Sequence, residues 1–445
     1  GRPEVGAAIL GQAIRLEPQN AIFHTDIGKA HFEMHRMDAA KASFSRAVEL
    51  NPSLAEAQCS LGCVLHLQGD LSEAIACYQR ALELRPEYAE VLINLSLAYS
   101  DQDKFQESEA LTRRALAMAP DLPEAHFNLA STLLLRGDFE SGFAEYEWRL
   151  RCSGFSQMFP RFSQPMWDGH SVEGSRLLLV AEQGFGDTIQ MIRYAPRIAD
   201  RGIRVVVQCQ PELKELLLNV AGIDEVFSRE EALPDFDQQA LMMSLPHHFG
   251  TTIETIPISI PYVHIHSDRS AKVAHELSPH GKPRIGLVWS GNPDHPKNSQ
   301  RSLTLTDLAP LLQVPEIEFF SLQKGPASRD ATKAPHGTSI RDLSPLLSDF
   351  ADTAAVIANL DLVITVDTAV AHLAGALGQP VWLLLSYAAD WRWLTNRQDS
   401  PWYPSMHLFR QGSPGDWKPV IESVIARLRA HRANGDNWNA VVSSP

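Results

Sequence analysis

Cysteine is scarce in this chain: 5 of 445 residues, at positions 59, 63, 77, 152 and 209. The odd number and the absence of a Cys-x-x-Cys pair indicate neither a disulfide framework nor a zinc site. Positive charge is also short, with 39 Lys and Arg against 53 Asp and Glu and a formal net charge of −14. An acidic chain without a basic block is a poor candidate for nucleic acid, since phosphate binding needs clustered Lys and Arg. Long apolar runs are missing too. The best, 360–385, is broken by Asp361, Asp367, His372, Gln379 and Pro380 and falls short of the about 18 uninterrupted residues that a membrane span requires. The chain opens at Gly1 without a signal-peptide pattern, and the expectation is a reduced, cytoplasmic protein with no membrane span. Neither a Gly-x-x-x-x-Gly-Lys-Ser/Thr loop nor a Gly-x-Ser-x-Gly elbow occurs, which argues against P-loop and serine-hydrolase chemistry.

What is present begins with a repeat. Pro18, Pro52, Pro86 and Pro120 are spaced by 34 residues, and Ala13, Ala47, Ala81 and Ala115 precede them in the same register. A second landmark recurs as Ile27-Gly28, Leu61-Gly62, Leu95-Ser96 and Leu129-Ala130. Small residues suit a place where two antiparallel helices approach closely, and the proline ends the second helix of each pair. This is the tetratricopeptide pattern. Residues 5–17 read as the second helix of an earlier repeat, so further repeats are expected before Gly1. Such pairs stack into a superhelix whose concave face binds peptides or partner helices. Asp26, Ser60, Asn94 and Asn128 precede the small-residue position. They form either a polar ladder for a peptide backbone or a set of packing residues.

All nine tryptophans lie at or beyond Trp148, where the chain changes character. Residues 151–175 carry Phe155, Phe159, Pro160, Phe162, Pro165 and Trp167 and read as a packed connector. Beyond it, apolar runs at 177–181 and 205–209 alternate with helical stretches at 187–200 and 211–220. The pattern restarts at 284 with runs at 285–289, 317–322 and 362–366, followed by a helix from Thr368. Strands alternating with helices imply a parallel sheet covered on both faces. The segment 256–283, rich in Pro, Ser and His, reads as the crossing between two such domains. Ligands then bind outside the carboxyl ends of the strands.

Three strand-end turns are candidates for chemistry. The first is Glu182-Gln183-Gly184-Phe185-Gly186-Asp187. Gly184 and Gly186 permit close backbone approach, and Asp187 falls at a helix start, where the dipole favours a carboxylate. It is either a general base or a helix cap. The second is Asp367-Thr368-Ala369-Val370-Ala371-His372, whose helix N-terminus offers free N–H groups for a phosphate, with His372 on the face of Thr368. The third joins Ser290-Gly291-Asn292, Lys297 and Arg301 to Gln323-Lys324-Gly325, where cations could neutralise a phosphate. The Asp-x-Asp pairs that a metal-dependent sugar transferase needs occur only as Asp101-x-Asp103 and Asp235-x-Asp237, neither at a strand end. His247-His248 and His264-x-His266 lack a third ligand. No metal site and no cofactor is invoked.

From 177 to about 410, the Gly186-Asp187 pair and the Asp367-Thr368-Ala369-x-x-His372-Leu373 turn resemble bacterial glycosyltransferases of two-Rossmann (GT-B) architecture, nearest the heptosyltransferase-like group. The resemblance implies Asp187 as catalytic base and Thr368, Ala369 and His372 at the phosphates of a nucleotide-sugar donor. Asp367, Ser290, Gly291, Asn292, Lys297, Gln323 and Lys324 complete the expected donor side, and Gly184, Gly186, Asn94 and Asn128 the acceptor side. Fusion to the repeats resembles protein O-glycosyltransferases, including those that modify flagellin. Asp390-Trp391-Arg392-Trp393 and Asp399-Ser400-Pro401-Trp402-Tyr403 look like that repeat-bearing group and depart from lipopolysaccharide heptosyltransferases. The implied activity is metal-independent, inverting transfer to Ser or Thr of a protein held by the repeats. Alternatives are a saccharide or lipid-linked acceptor, a non-catalytic scaffold that senses a nucleotide sugar, and an epimerase. The expected division is repeats at 1–150, connector at 151–175, a first, acceptor-side Rossmann-like domain at 176–270, a second, nucleotide-sugar-binding one at 271–430, and a frayed tail at 431–445.

Overall fold

The protein is described from a computed structural model, which covers residues 2–152, 154–155, 162–170, 173–265, 267–277, 281–295, 297–334 and 336–434. Phe159, Pro160 and His266, and the tail beyond 434, lie outside the described residues. The chain divides into two compact units: Gly1–Arg136 with Ala144–Ser156, and Gly137–Phe143 with Gln157–Pro445.

The first unit is helical. Its elements are α1 (Pro3–Leu16), α2 (Ala21–Glu33), α3 (Met37–Leu50), α4 (Ala55–Gln68), α5 (Leu71–Leu84), α6 (Ala89–Ser100), α7 (Phe105–Met118) and α8 (Pro123–Leu135), with α9 (Phe139–Tyr146) straddling both units. The 34-residue register has a direct backbone cause. Before each repeat proline, the N–H of Glu17, Asn51, Arg85 or Ala119 donates to the carbonyl of Ala13, Ala47, Ala81 or Ala115, at 2.9 Å every time. The following proline has no N–H to continue the helix. Small residues are needed where expected: a methyl at Gly28 would lie 2.5 Å from the Phe44 ring, and one at Gly62 would lie 2.6 Å from Tyr78.

The second unit holds two parallel sheets. The first has the order β3-β2-β1-β4, from β1 (Arg176–Val180), β2 (Arg204–Cys209), β3 (Glu225–Ser228) and β4 (Gln238–Leu241). The second has the order β10-β9-β8-β5-β6-β7, from β5 (Arg284–Val288), β6 (Glu318–Ser321), β7 (Arg341–Asp342), β8 (Leu362–Val366), β9 (Val381–Leu385) and β10 (Met406–Arg410). β8 and β9 are buried along their whole length, as continuous apolar runs in a parallel sheet should be. Their helices are α10 (Phe185–Met191), α11 (Ala195–Ala199), α12 (Lys214–Leu217), α13 (Leu245–His248), α14 (Ser267–Leu277), α15 (Asn298–Arg301), α16 (Ala309–Leu312), α17 (Phe350–Ile357), α18 (Ala369–Ala376) and α19 (Lys418–Asn434). The described part of the connector packs as expected: Trp167 is buried and its backbone N–H donates to Gln239 O of β4 at 2.7 Å.

Several boundaries move. The expected helix over 187–200 is three pieces, with a 3-10 turn at Ile192–Tyr194 and Pro196 opening α11. α14 begins at Ser267 and pairs with α17, because Arg269 donates to Asp349 (3.0 Å) and Asp352 (2.8 Å). The second α/β half therefore begins before 271. α19 runs on to Asn434 with His431 buried, so the fold continues past 430.

Candidate functional site

Five strand ends in the second unit open on one cleft of about 960 Å³, within the range of small-molecule sites. The turn after β1 supplies Gly184, Gly186 and Asp187. The turns after β5 and β6 supply Ser290, Gly291, Asn292, Gln323 and Lys324. Those after β8 and β9 supply Asp367, Thr368, Ala369, His372, Asp390 and Arg392. The two motif turns meet directly. A methyl at Gly186 would stand 2.7 Å from His372 Cδ2, so glycine is what lets α10 and α18 close on each other.

Asp187 occupies the third position of α10, and Gly184 is the N-cap. The expected alternative of a cap is thus corrected in position: Asp187 Oδ2 reaches back to accept from Gly184 N–H at 2.9 Å. Its other oxygen, Oδ1, accepts from Arg392 Nη2 at 2.5 Å. Arg392 is 7% exposed and also donates to Asp390 Oδ1 (2.8 Å) and Gln190 Oε1 (2.7 Å). Burial alone would raise the Asp390 carboxyl, but the Arg392 guanidinium outweighs it and holds the group below the usual range. Asp367 has no hydrogen-bonded arginine among the described residues; burial followed by the Asp390 carboxylate outweighs the nearby Arg301 and Arg392 and pushes it up to about 6.

Thr368 is the N-cap of α18, but its hydroxyl contacts Thr365 Oγ1 at 3.2 Å and no side chain caps the helix. The first turn of α18 therefore faces the cleft with its own N–H groups, a setting suited to an anion. His372 is 5% exposed. Burial first, then Arg392, lowers its imidazole to about 3, so it meets a phosphate as a neutral hydrogen-bonding group and not as a cation.

On the opposite wall Gln323 has its amide fully engaged. Oε1 accepts from Trp289 N (3.0 Å) and Ser290 N (2.9 Å), while Nε2 donates to Ser290 O and Lys324 O at 2.9 Å. The expected donor contact by Gln323 is corrected to a clasp that shapes the Ser290-Gly291 turn. Asn292 Oδ1 accepts from Asp294 N at 3.1 Å, and Lys324 Nζ donates to Ser344 O at 3.3 Å at the cleft wall. Lys297 does not line the cleft; Arg301, four residues on, does. The Arg301 Nε is buried without a hydrogen-bond partner, and a methyl at Gly291 would lie 3.0 Å from its Nη2. Of the two cations expected here, Arg301 lines the cleft and Lys297 does not.

The repeat asparagines belong to the first unit and do not line this cleft. Asn94 donates to the sulfur of Cys63 at 3.3 Å. Asn128 is buried with no partner for its Nδ2, and Asp26 pairs with Lys29. At Asn94 the row thus packs against the neighbouring helix of the repeats.

Arg392, Asp390 and Tyr403 were not singled out as site residues in the sequence. The available signal was β9: read as its own strand, Val381–Leu385 makes the following acid–arginine segment a strand-end loop.

Profiles for tetratricopeptide repeats match residues 22–54, 64–103 and 93–147, and the profile of glycosyltransferase family 9 (heptosyltransferase) matches 324–393. Protein FlbA of Caulobacter vibrioides is 27% identical over 330 residues, 68% of this chain and 55% of its own length. The chain thus spans about half of that relative. Among solved structures, YrrB, described as a TPR protein with an unusual peptide-binding site, is 19% identical, with a TM-score of 0.30 over 33% of this chain and 76% of its own. TTC0263, a thermophilic TPR protein of Thermus thermophilus, is 21% identical, with a TM-score of 0.31 over 35% and 84%. This chain is thus similar to tetratricopeptide-repeat proteins within 22–147 and to glycosyltransferase family 9 (heptosyltransferase) over 324–393, a segment that supplies one wall of the cleft.

Proposed function

We propose that the cleft moves a sugar from a nucleotide donor to Ser or Thr of a protein acceptor presented by the repeats, with inversion and without a resident metal. The observation that carries this reading is the meeting of Gly186-Asp187 with the Thr368–His372 turn in one cleft. It puts a carboxylate beside a helix N-terminus open to a diphosphate. Asp187 takes the proton of the acceptor hydroxyl as that oxygen attacks the anomeric carbon and the bond to the nucleotide breaks. Its fixed hydrogen bonds to Gly184 and Arg392 aim the carboxylate. Charge on the departing phosphate is met by the N–H groups of α18, by Arg301 and by Lys324. Two facing parallel-sheet halves fit the GT-B arrangement. The repeats, of a kind whose concave face binds peptides, favour a polypeptide over a saccharide or lipid-linked acceptor, and flagellin is the first protein to try.

The test is nucleotide release from a panel of UDP-, GDP-, ADP- and CMP-sugars, with flagellin as acceptor and EDTA present. Asp187→Asn should lower transfer by about 10²–10⁴-fold and leave nucleotide binding within error. Full activity in that variant would remove Asp187 as the base. Loss of activity in EDTA alone would remove the metal-independent reading.

A further inference from the structure

Beneath the cleft lies a buried cation that the transfer reaction does not use. Arg193 is 3% exposed and forms no ion pair among the described residues. It donates instead to Gln190 O (2.8 Å), Trp402 O (2.9 Å), Pro257 O (3.4 Å) and Tyr262 Oη (3.0 Å). Its guanidinium lies over the rings of Tyr262 (4.8 Å), Trp402 (5.3 Å) and Tyr403 (4.7 Å). An arginine kept without a counter-charge in such a box is expensive to bury, and the aromatic faces offset only part of that cost.

We propose that Tyr403 is a positioning residue: backed by Arg193, its hydroxyl donates to Nδ1 of His372 and leaves the imidazole proton on Nε2, at the edge that borders Gly186 and the cleft. The donor inventory of the neighbours carries the argument. Arg193 has no lone pair to offer. Tyr262 directs its single hydroxyl proton to Ile189 O at 3.0 Å, and its oxygen already takes an N–H from Arg193. Burial keeps the Tyr403 phenol protonated, well above its ordinary range. Tyr262 Oη also lies beside the Tyr403 hydroxyl but already accepts from Arg193, so the acceptor assigned to that proton is His372 Nδ1, 2.9 Å away. A neutral imidazole carries one ring proton, so Nδ1 as acceptor puts it on Nε2.

The chain clears room for this stack at both ends. A methyl at Gly375, one turn beyond His372, would lie 2.5 Å from Tyr403 Cδ1. A methyl at Gly186 would lie 3.2 Å from His372 Nε2. Trp393 covers the imidazole at 5.2 Å between centroids, so the ring cannot swing to exchange its nitrogens. The charged groups that bear on His372 are Arg392, Asp390, Arg193 and Arg301. The consequence is a fixed Nε2–H donor aimed at the donor phosphates, and that purpose rests on the function proposed above. The tautomer itself does not.

The experiment is nitrogen-15 NMR of the full chain labelled at histidine, with the His372 signals assigned by their loss in His372→Gln. The expected wild-type pattern at pH 7 is neutral with the proton on Nε2, shifting to a mixture in Tyr403→Phe. A proton on Nδ1, a charged ring, or an unchanged pattern in Tyr403→Phe overturns the proposal. If Tyr403→Phe fails to fold, the wild-type pattern still decides. A second arm measures thermal shifts with UDP, GDP, ADP, CDP and CMP. The Gln side chain at 372 keeps an N–H at the Nε2 position and should retain most of the affinity. His372→Asn keeps only the Nδ1 position and should lose about 10- to 100-fold, the worth of a hydrogen bond to a charged group. Equal affinity of the two variants overturns the assignment of the donor. A wild-type chain that binds none of the five nucleotides overturns the proposed function while leaving the tautomer result standing.

Discussion

Asp367 and Asp390 sit in one cleft with opposite fates, because Arg392 hydrogen-bonds Asp390 and acts on Asp367 only from a distance. Asp367 titrates near 6 in the folded chain, against about 3.9 unfolded. Its folded value is raised, so the stability it contributes is whole below pH 4 and is lost as pH climbs through 6. Asp367→Asn should therefore raise the melting temperature at pH 7 to 8 and leave it unchanged near pH 4. A variant that melts lower at pH 8 would mean that ionised Asp367 has a partner in the fold. At this scale Asp187, Thr368 and His372 stand in compact sequence motifs, and the fold brings the three into one cleft. The sequence was not legible for Arg392, Arg193 or Tyr403. Arg193 and Arg392 act through contacts made across about 200 residues of chain, and the loop of Arg392 is marked only once β9 is read as its own strand. Lys297 and Gln323 failed for a related reason: a cation and an amide near a strand end look alike in sequence whether they face the ligand or the backbone.

The elements were read best where the pattern was longest. Four repeats in a shared register forecast the helix ends that the Ala carbonyls at 13, 47, 81 and 115 then terminate. The short helices of the α/β half were read worst, since pieces such as Lys214–Leu217 are decided by packing and not by propensity. Two glycines separate these effects. Gly11 lies mid-helix with nothing within 4 Å of an added methyl, whereas at Gly62 that methyl meets the buried Tyr78 ring at 2.6 Å. Gly11→Ala should stabilise the repeats by up to about 1 kcal/mol through helix propensity alone. At Gly62 the same gain is outweighed by overpacking of about 1–3 kcal/mol, because Tyr78 has no space to retreat. Amide hydrogen exchange across α4 and α5 checks this. Equal protection in both variants would contradict the close-approach account of the small-residue position.

Across the whole molecule, the sequence changes character after Trp148, and the first compact unit runs on to Ser156. The fold crosses that line once more than expected, because residues 137–143 belong with the α/β unit. Phe139 and Phe143, both buried, set their rings 5.5 Å from Trp402 and Trp391, a contact that no local pattern announces. The second sheet has more strands than the sequence suggested, since β9 was absorbed into the apolar stretch before it. That omission hid the loop of Arg392, and with it one wall of the cleft. The proposed function requires that this cleft hold a nucleotide diphosphate or monophosphate at the N-terminus of α18. The most direct measurement is a thermal-shift panel of the full chain with UDP, GDP, ADP, CDP and CMP. A nucleotide at about 100 times its dissociation constant stabilises the fold by about 2.7 kcal/mol. The account predicts one clear shift that disappears in a Thr368→Val, His372→Asn double variant. No shift with any nucleotide, or a shift that survives both substitutions, would contradict it.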